Sequence, residues 1–105
     1  MSNPGREILN AAMTEEQLLQ AVVDLARARR YLIYHTLDSR GSAGGFPDVV
    51  AAKSGRLVFL ELKAAKGTVS PVQQKWIDVL NSIPGVVYAG VFRPVDWPLI
   101  DRLLA

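Results

Sequence analysis

Leu57-Val58-Phe59-Leu60 is apolar on both faces of any strand it can form, and it runs straight into Glu61-Leu62-Lys63. A strand buried on both faces belongs in the interior of a sheet with a packed layer on either side. This segment reads as a central strand, and the order of elements along the chain makes the whole an α/β sandwich. Its central strand must also deliver a carboxylate and an ammonium to one end, where a charged pair next to a core needs partners.

The segment before it supplies one. Phe46 to Ala52 and Arg56 to Lys63 read as two strands flanking the hairpin signal Lys53-Ser54-Gly55. If the hairpin closes through a two-residue turn at Ser54-Gly55, Lys53 pairs with Arg56, and counting outwards sets Asp48 opposite Glu61. Lys63 shares their face, because strand side chains alternate with period two. A three-residue turn with a bulge would shift that register by one. Directly opposed residues have Cβ atoms about 4.5 to 5.5 Å apart, so the two carboxylates repel unless a cation lies between them. Hard cations such as Mg²⁺ or Mn²⁺ accept one or two carboxylates and fill the remaining positions with water and phosphate oxygens. The competing reading is a plain salt bridge among Asp48, Glu61 and Lys63.

The other elements follow from periodicity. Thr14 and Gln17 form a capping-box signature, and Leu18, Val22, Leu25 with Leu19, Val23, Ala26 give a helical apolar face to about Arg30. Residues 1–13 read as a loose arm and 14–105 as one domain. Tyr31 to Leu37 reads as a strand, followed by a polar loop from Asp38 to Gly45. Ser70-Pro71 with Gln73 opens a second helix whose buried stripe is expected at Val72, Trp76, Val79, Leu80 and Ile83, ended by Pro84-Gly85. Val86 to Phe92 is another strand, and Asp96 is placed to cap a last helix carrying Trp97, Leu99, Ile100, Leu103 and Leu104. The order is helix, three strands, helix, strand, helix, around a mixed sheet. Tyr31, Tyr34, Trp76, Tyr88 and Trp97 read as core and interface anchors.

Composition narrows the function. One domain of 105 residues has room for a single core, and the net charge of +2 does not by itself diagnose nucleic-acid binding. The absence of cysteine excludes thiolate metal sites and cysteine nucleophiles. No apolar run approaches the roughly 18 residues of a membrane span, and no secretory signal is visible. An intracellular location is expected.

Gly45-Phe46-Pro47-Asp48-Val49-Val50, then Phe59-Leu60-Glu61-Leu62-Lys63, then Ser70-Pro71-Val72-Gln73-Gln74-Lys75-Trp76 resemble the VRR-NUC domain of the PD-(D/E)xK nuclease superfamily. The resemblance covers roughly Thr14 to Phe92. It implies a restriction endonuclease-like core of a helix, three strands, a helix and a strand, the order already read from periodicity. It also implies Asp48 and Glu61 as metal ligands, the Leu62 carbonyl as a third, Lys63 as the catalytic lysine and Gln73 beside the site. Gln73 has a second explanation as the capping-box residue. Similar domains carry a glutamate on the first helix that reaches the metal; Glu16 fits that pattern better than Glu15, although either also suits a helix N-terminus. His35, Arg40, Ser42 and Lys66 are candidates for contacts with the nucleic-acid backbone. Packing or turn chemistry equally explains His35, Arg40 and Ser42.

The function expected on these grounds is a Mg²⁺- or Mn²⁺-dependent endonuclease. The resemblance implies a stand-alone homodimer resembling Holliday-junction resolvases and acting on branched DNA. Three readings compete with it: a non-catalytic nucleic-acid-binding module of the same fold, a nuclease acting on flaps or duplex with a partner protein, and a protein-interaction domain whose polar cluster is only a salt bridge.

Overall fold

In a computed structural model, which describes residues 4–36 and 44–105, the chain opens with a helix where a loose arm was expected. Helix α1 spans Pro4–Ala12. Pro4 suits a first helical position, where its missing N–H has no intrahelical partner to lose. Met13 packs against the core, whereas Ile8 and Leu9 of α1 are each 69% exposed.

Helix α2, Glu15–Ala28, begins at the predicted capping box. The Gln17 N–H donates to the Thr14 hydroxyl at 3.1 Å, and the Thr14 N–H donates to Gln17 Oε1 at 2.9 Å. Its end is a Schellman closure in which the Tyr31 N–H reaches Ala26 O at 2.9 Å and the Arg30 N–H reaches Arg27 O at 3.0 Å. Arg30 occupies the left-handed position usually given to glycine, with φ at 67°. The closure turns the chain into the sheet and seats Tyr31 in the core, 4% exposed.

Strands β1, Leu32–His35, β2, Val49–Lys53, β3, Arg56–Leu62, and β4, Tyr88–Phe92, form one sheet in the order β1-β2-β3-β4. The first three are antiparallel neighbours and β4 runs parallel to β3. Helix α3, Pro71–Asn81, makes the crossover between them. β1 begins at Leu32 rather than the expected Tyr31, because the helix closure takes Tyr31; Leu37, and Asp38 to Ala43 of the expected loop, lie outside the described residues. β2 starts at Val49 rather than Phe46, after Pro47, which has no N–H for a ladder.

The sheet is covered on both sides, as an apolar β3 requires. One face packs Val49, Ala51, Val58, Leu60, Leu62 and Phe92 against Leu18, Val22 and Ala26 of α2 and against Ile100 and Leu104. Ile100 belongs to α4, Trp97–Leu103, which follows a 3₁₀ turn at Pro94–Asp96. Asp96 does not cap α4 as expected; its Oδ2 accepts the Arg93 N–H at 2.8 Å and closes the 3₁₀ turn. The other face packs Phe59 and Ala89 beneath Ile77 and Leu80 of α3, with Phe46 and Trp76 at the margin. The expected stripe holds at Leu80 and Trp76 and fails elsewhere. Val72, Val79 and Ile83 are 52%, 49% and 46% exposed, and Ile77 takes their place in the core. Helix α3 packs on β3 and β4 through Ile77 and Leu80. On the same face Leu32 and Tyr34 of β1 are 78% and 62% exposed.

The C-terminus is fastened to the hairpin and to α2. Arg56 donates to the Tyr31 hydroxyl at 3.0 Å and to Leu103 O at 2.7 Å, and Arg29 pairs with Asp101.

Arg30 yields a direct test. A non-glycine residue in the left-handed region carries about 1–2 kcal/mol of strain, against which glycine loses roughly 0.5–1 kcal/mol of chain entropy. Arg30→Gly is expected to stabilise the fold by about 0.5–1 kcal/mol in urea unfolding at unchanged m-value; destabilisation would show that the arginine side chain contributes more than its backbone costs.

Candidate metal centre

The site starts from the hairpin. Gly55 takes a φ of 76°, and the strands pair from Lys53 with Arg56 out to Val49 with Leu60, the register of a two-residue turn. One step further, beyond the last ladder pair, come Asp48 and Glu61. Asp48 is held there by its own side chain and main chain: Oδ2 accepts the Leu62 N–H at 2.8 Å, and its carbonyl accepts the Thr36 N–H at 3.2 Å. Leu62 ends β3 with its side chain wholly buried.

Glu61 is 2% exposed, the one charged residue among the buried described residues. Its Oε1 accepts from Gln73 Nε2 at 3.0 Å and has Lys63 Nζ at 3.6 Å. Its Oε2 is buried with no hydrogen-bond partner. Gln73 serves both of the purposes considered for it. The Ser70 N–H donates to Gln73 Oε1 at 2.9 Å in the capping box of α3, while the other end of the same amide donates to Glu61.

A third carboxylate completes the cluster. Glu15, Asp48 and Glu61 each offer an oxygen, and these lie within 4.8 Å of one another. Glu16, the glutamate favoured from sequence, is not in this group. The difference is a helical rotation of about 100° per residue. Glu15 continues the buried stripe of Leu18, Val22 and Ala26 one turn toward the N-terminus, so the signal that selects it was present in the spacing.

Such crowding of acids is unfavourable without a cation. Burial, then the neighbouring Asp48 carboxylate, pushes the Glu61 pKa up from 4.5 to about 8, against the opposing effect of Lys63. Glu15 is raised in the same way, by desolvation first and by Asp48 second. All three donors are carboxylate oxygens, the set that hard divalent cations select. With bonds of about 2.0–2.1 Å, opposite ligands of one Mg²⁺ stand about 4.2 Å apart, close to the spread of this cluster. The unpartnered Glu61 Oε2 also fits an ion.

The remaining expected contacts are more scattered. His35 ends β1 with Nδ1 buried and without a partner, outside the acid cluster. Lys66 is exposed in the turn that follows Lys63. Arg40 and Ser42 lie outside the described residues.

Comparison with known families bears on this geometry. The sequence pattern of the VRR-NUC domain matches residues 5–90. The chain belongs to the VRR-NUC domain family. This is a PD-(D/E)xK nuclease-like family, and the four-stranded mixed sheet flanked by helices is consistent with its restriction endonuclease-like fold. The VRR-NUC match carries a nuclease-type function with DNA as substrate. No curated protein and no solved structure matches the chain significantly. Among the described residues no helix is long and apolar enough to cross a membrane.

Thermal melting tests the electrostatics of the cluster. Glu61 binds its proton more tightly folded, near pH 8, than at its ordinary 4.5, so the folded state loses stability as pH rises through that interval. In EDTA the melting temperature is expected to fall from pH 5 to pH 8. Mg²⁺ or Mn²⁺ should restore it, and more strongly at pH 8, where fewer protons must be displaced. Glu61→Gln should flatten the slope. In the same assay Glu15→Ala should reduce the metal-induced shift and Glu16→Ala should leave it; the reverse ranking would reassign the helix ligand.

Proposed function

We propose that this VRR-NUC domain is a Mg²⁺- or Mn²⁺-dependent endonuclease that hydrolyses DNA phosphodiester bonds, acting as a homodimer on four-way junctions. The observation that carries the metal-dependent reading is the buried, unpartnered Glu61 Oε2 within a three-carboxylate cluster beside Lys63. A binding module would gain nothing from three carboxylates turned toward a phosphate backbone.

Each residue has a separable task in that reaction. A divalent ion held by Asp48, Glu61 and Glu15, with the Leu62 carbonyl as a further ligand, would supply an activated water and a Lewis acid for the scissile phosphate. The Leu62 N–H fixes the rotation of the Asp48 carboxylate, and Gln73 fixes that of Glu61. Lys63, with its side chain only 12% exposed, orients the attacking water and offsets charge that grows on the phosphate oxygens. Lys66 and His35, at the same end of the sheet, are assigned to the DNA backbone.

The homodimer rests on two supports. The described residues of one protomer hold one such cluster, so cutting both strands of a junction calls for two copies. The apolar side chains left exposed on one sheet face, Leu32 and Tyr34 with Val72 and Val79 of α3, offer a surface for the second copy.

The deciding experiment is cleavage of a labelled four-way junction beside a linear duplex of the same sequence, with Mg²⁺, Mn²⁺ or EDTA, and light scattering on the same preparation. Junction-selective cutting by a dimer is expected, lost in EDTA and reduced at least about a hundredfold in Asp48→Ala and Lys63→Ala. Metal-independent junction binding without cleavage would replace the enzyme by a binding module. Cleavage of duplex alone, or a monomer with and without DNA, would remove the junction assignment.

A further inference from the structure

Lys63 is a flexible side chain in a demanding position. A lysine ammonium carries about 2 kcal/mol of rotamer entropy on a four-carbon stem, and catalysis needs it in one place. No hydrogen bond to a described residue holds it; its ion-pair partner Glu61 Oε1 is at 3.6 Å. Its definition has to come from what packs on the stem.

That packing is supplied by the next turn. The chain folds back after Lys63 so that the Gly67 N–H donates to Ala64 O at 3.0 Å. Gly67 then lies flat on the lysine stem: a Cβ at position 67 would stand 3.3 Å from both Lys63 Cβ and Cδ and 3.4 Å from Ala64 O. The turn in turn is fastened from the neighbouring strand. Leu62 and Phe92 are the last pair of the parallel ladder, the Lys63 N–H donates to Phe92 O at 3.0 Å, and the next residue is Arg93. Its Nη2 donates to Gly67 O at 2.5 Å.

Among the described residues the Arg93 guanidinium has no other hydrogen-bond partner. Asp96, the acid closest to it in sequence, takes the Arg93 main-chain N–H, and among the described residues no carboxylate forms an ion pair with the guanidinium. We infer that Arg93 is a positioning residue for Lys63, pinning the Ala64–Gly67 turn against the lysine stem and so directing the ammonium to the acid cluster. The inference rests on the reading of Lys63 as a member of the nuclease site. It gives Gly67 a reason as well, since any side chain there would press on the stem.

The test compares Arg93→Ala, Arg93→Lys and Gly67→Ala in the full chain, after circular dichroism confirms that each folds. The first readout needs no activity: reductive methylation of Lys63 followed by peptide mass spectrometry, with Lys53, Lys66 and Lys75 as internal references. Lys63 should react severalfold faster in Arg93→Ala and near the wild-type rate in Arg93→Lys, which keeps one donor for Gly67 O. The second is single-turnover cleavage of the junction. Arg93→Ala should lower the cleavage rate roughly ten- to hundredfold, as displacement of a catalytic group by about 1 Å does, with DNA affinity and its salt dependence unchanged. Gly67→Ala should move both readouts in the same direction. Unchanged methylation of Lys63 in Arg93→Ala would overturn the inference. So would a loss confined to DNA binding with a reduced salt slope, which would make Arg93 a phosphate contact. A wild-type protein that cuts nothing would refute the nuclease reading, while the methylation rates would still decide whether Arg93 holds Lys63.

Discussion

A carboxylate that is 2% exposed at the end of an apolar strand has to be explained by its surroundings, and in this fold the surroundings of Glu61 organise everything near it. The strand that carries it can be apolar on both faces only because helices cover the sheet on both sides. Those same helices begin beside it. Helix α2 brings Glu15 on its first residue, and α3 brings Gln73 in its first turn. Partial positive charge at the two helix N-termini favours anions there and offsets part of the acid repulsion. The offset is incomplete, since burial and Asp48 still raise the Glu61 pKa to about 8. The protein's own groups therefore leave the cluster short of positive charge, which a divalent ion or a neutralising proton would relieve.

Gln73 shows how closely stability and site geometry are joined here. Its carbonyl oxygen closes a capping box and its amide nitrogen holds Glu61. Capping interactions of this kind stabilise a helix by about 0.5–2 kcal/mol, so loss of the side chain acts on folding and on the site together. A melting experiment and a cleavage experiment on the same variant cannot be read independently. Asp48 is arranged similarly, with one oxygen spent on the Leu62 N–H and its carbonyl on Thr36.

Most of the fold and the centre of the site were legible in the sequence because they depend on short-range rules. A two-residue turn and the period of two were enough to set Asp48 against Glu61, and each capping box marked a helix start correctly. What failed depends on tertiary placement. Glu15 and Glu16 are both acids in a first helical turn; the spacing of the Leu18, Val22, Ala26 stripe points to Glu15, and its packing against the sheet is what makes that spacing decisive. The α3 stripe was read correctly at Leu80 and Trp76, but Val72, Val79 and Ile83, apolar in sequence, are exposed, and the buried Ile77 was left out. Asp96 has the chemistry of an N-cap, yet Pro94 starts a tighter turn first and draws the carboxylate back to Arg93. Arg93 itself carried no sequence signal, because its relation to Lys63 exists only across the parallel ladder.

That ladder is what separates this site from a simple hairpin cluster. Two antiparallel strands suffice to oppose Asp48 and Glu61, but Lys63 lies beyond the last hairpin pair, where β2 no longer supports β3. Its main chain is held instead by β4, through the bond from its N–H to Phe92 O. β4 can be parallel to β3 only through a crossover connection, and α3 is that crossover. The order strand, helix, strand thus does three things at once: it covers one sheet face, starts a helix at Glu61, and brings a support to the backbone of Lys63. A domain of this size has little chain to spare. Shortening the crossover, or replacing β4 by an antiparallel return, would preserve the two carboxylates of the hairpin and lose both the glutamine and the lysine from their places.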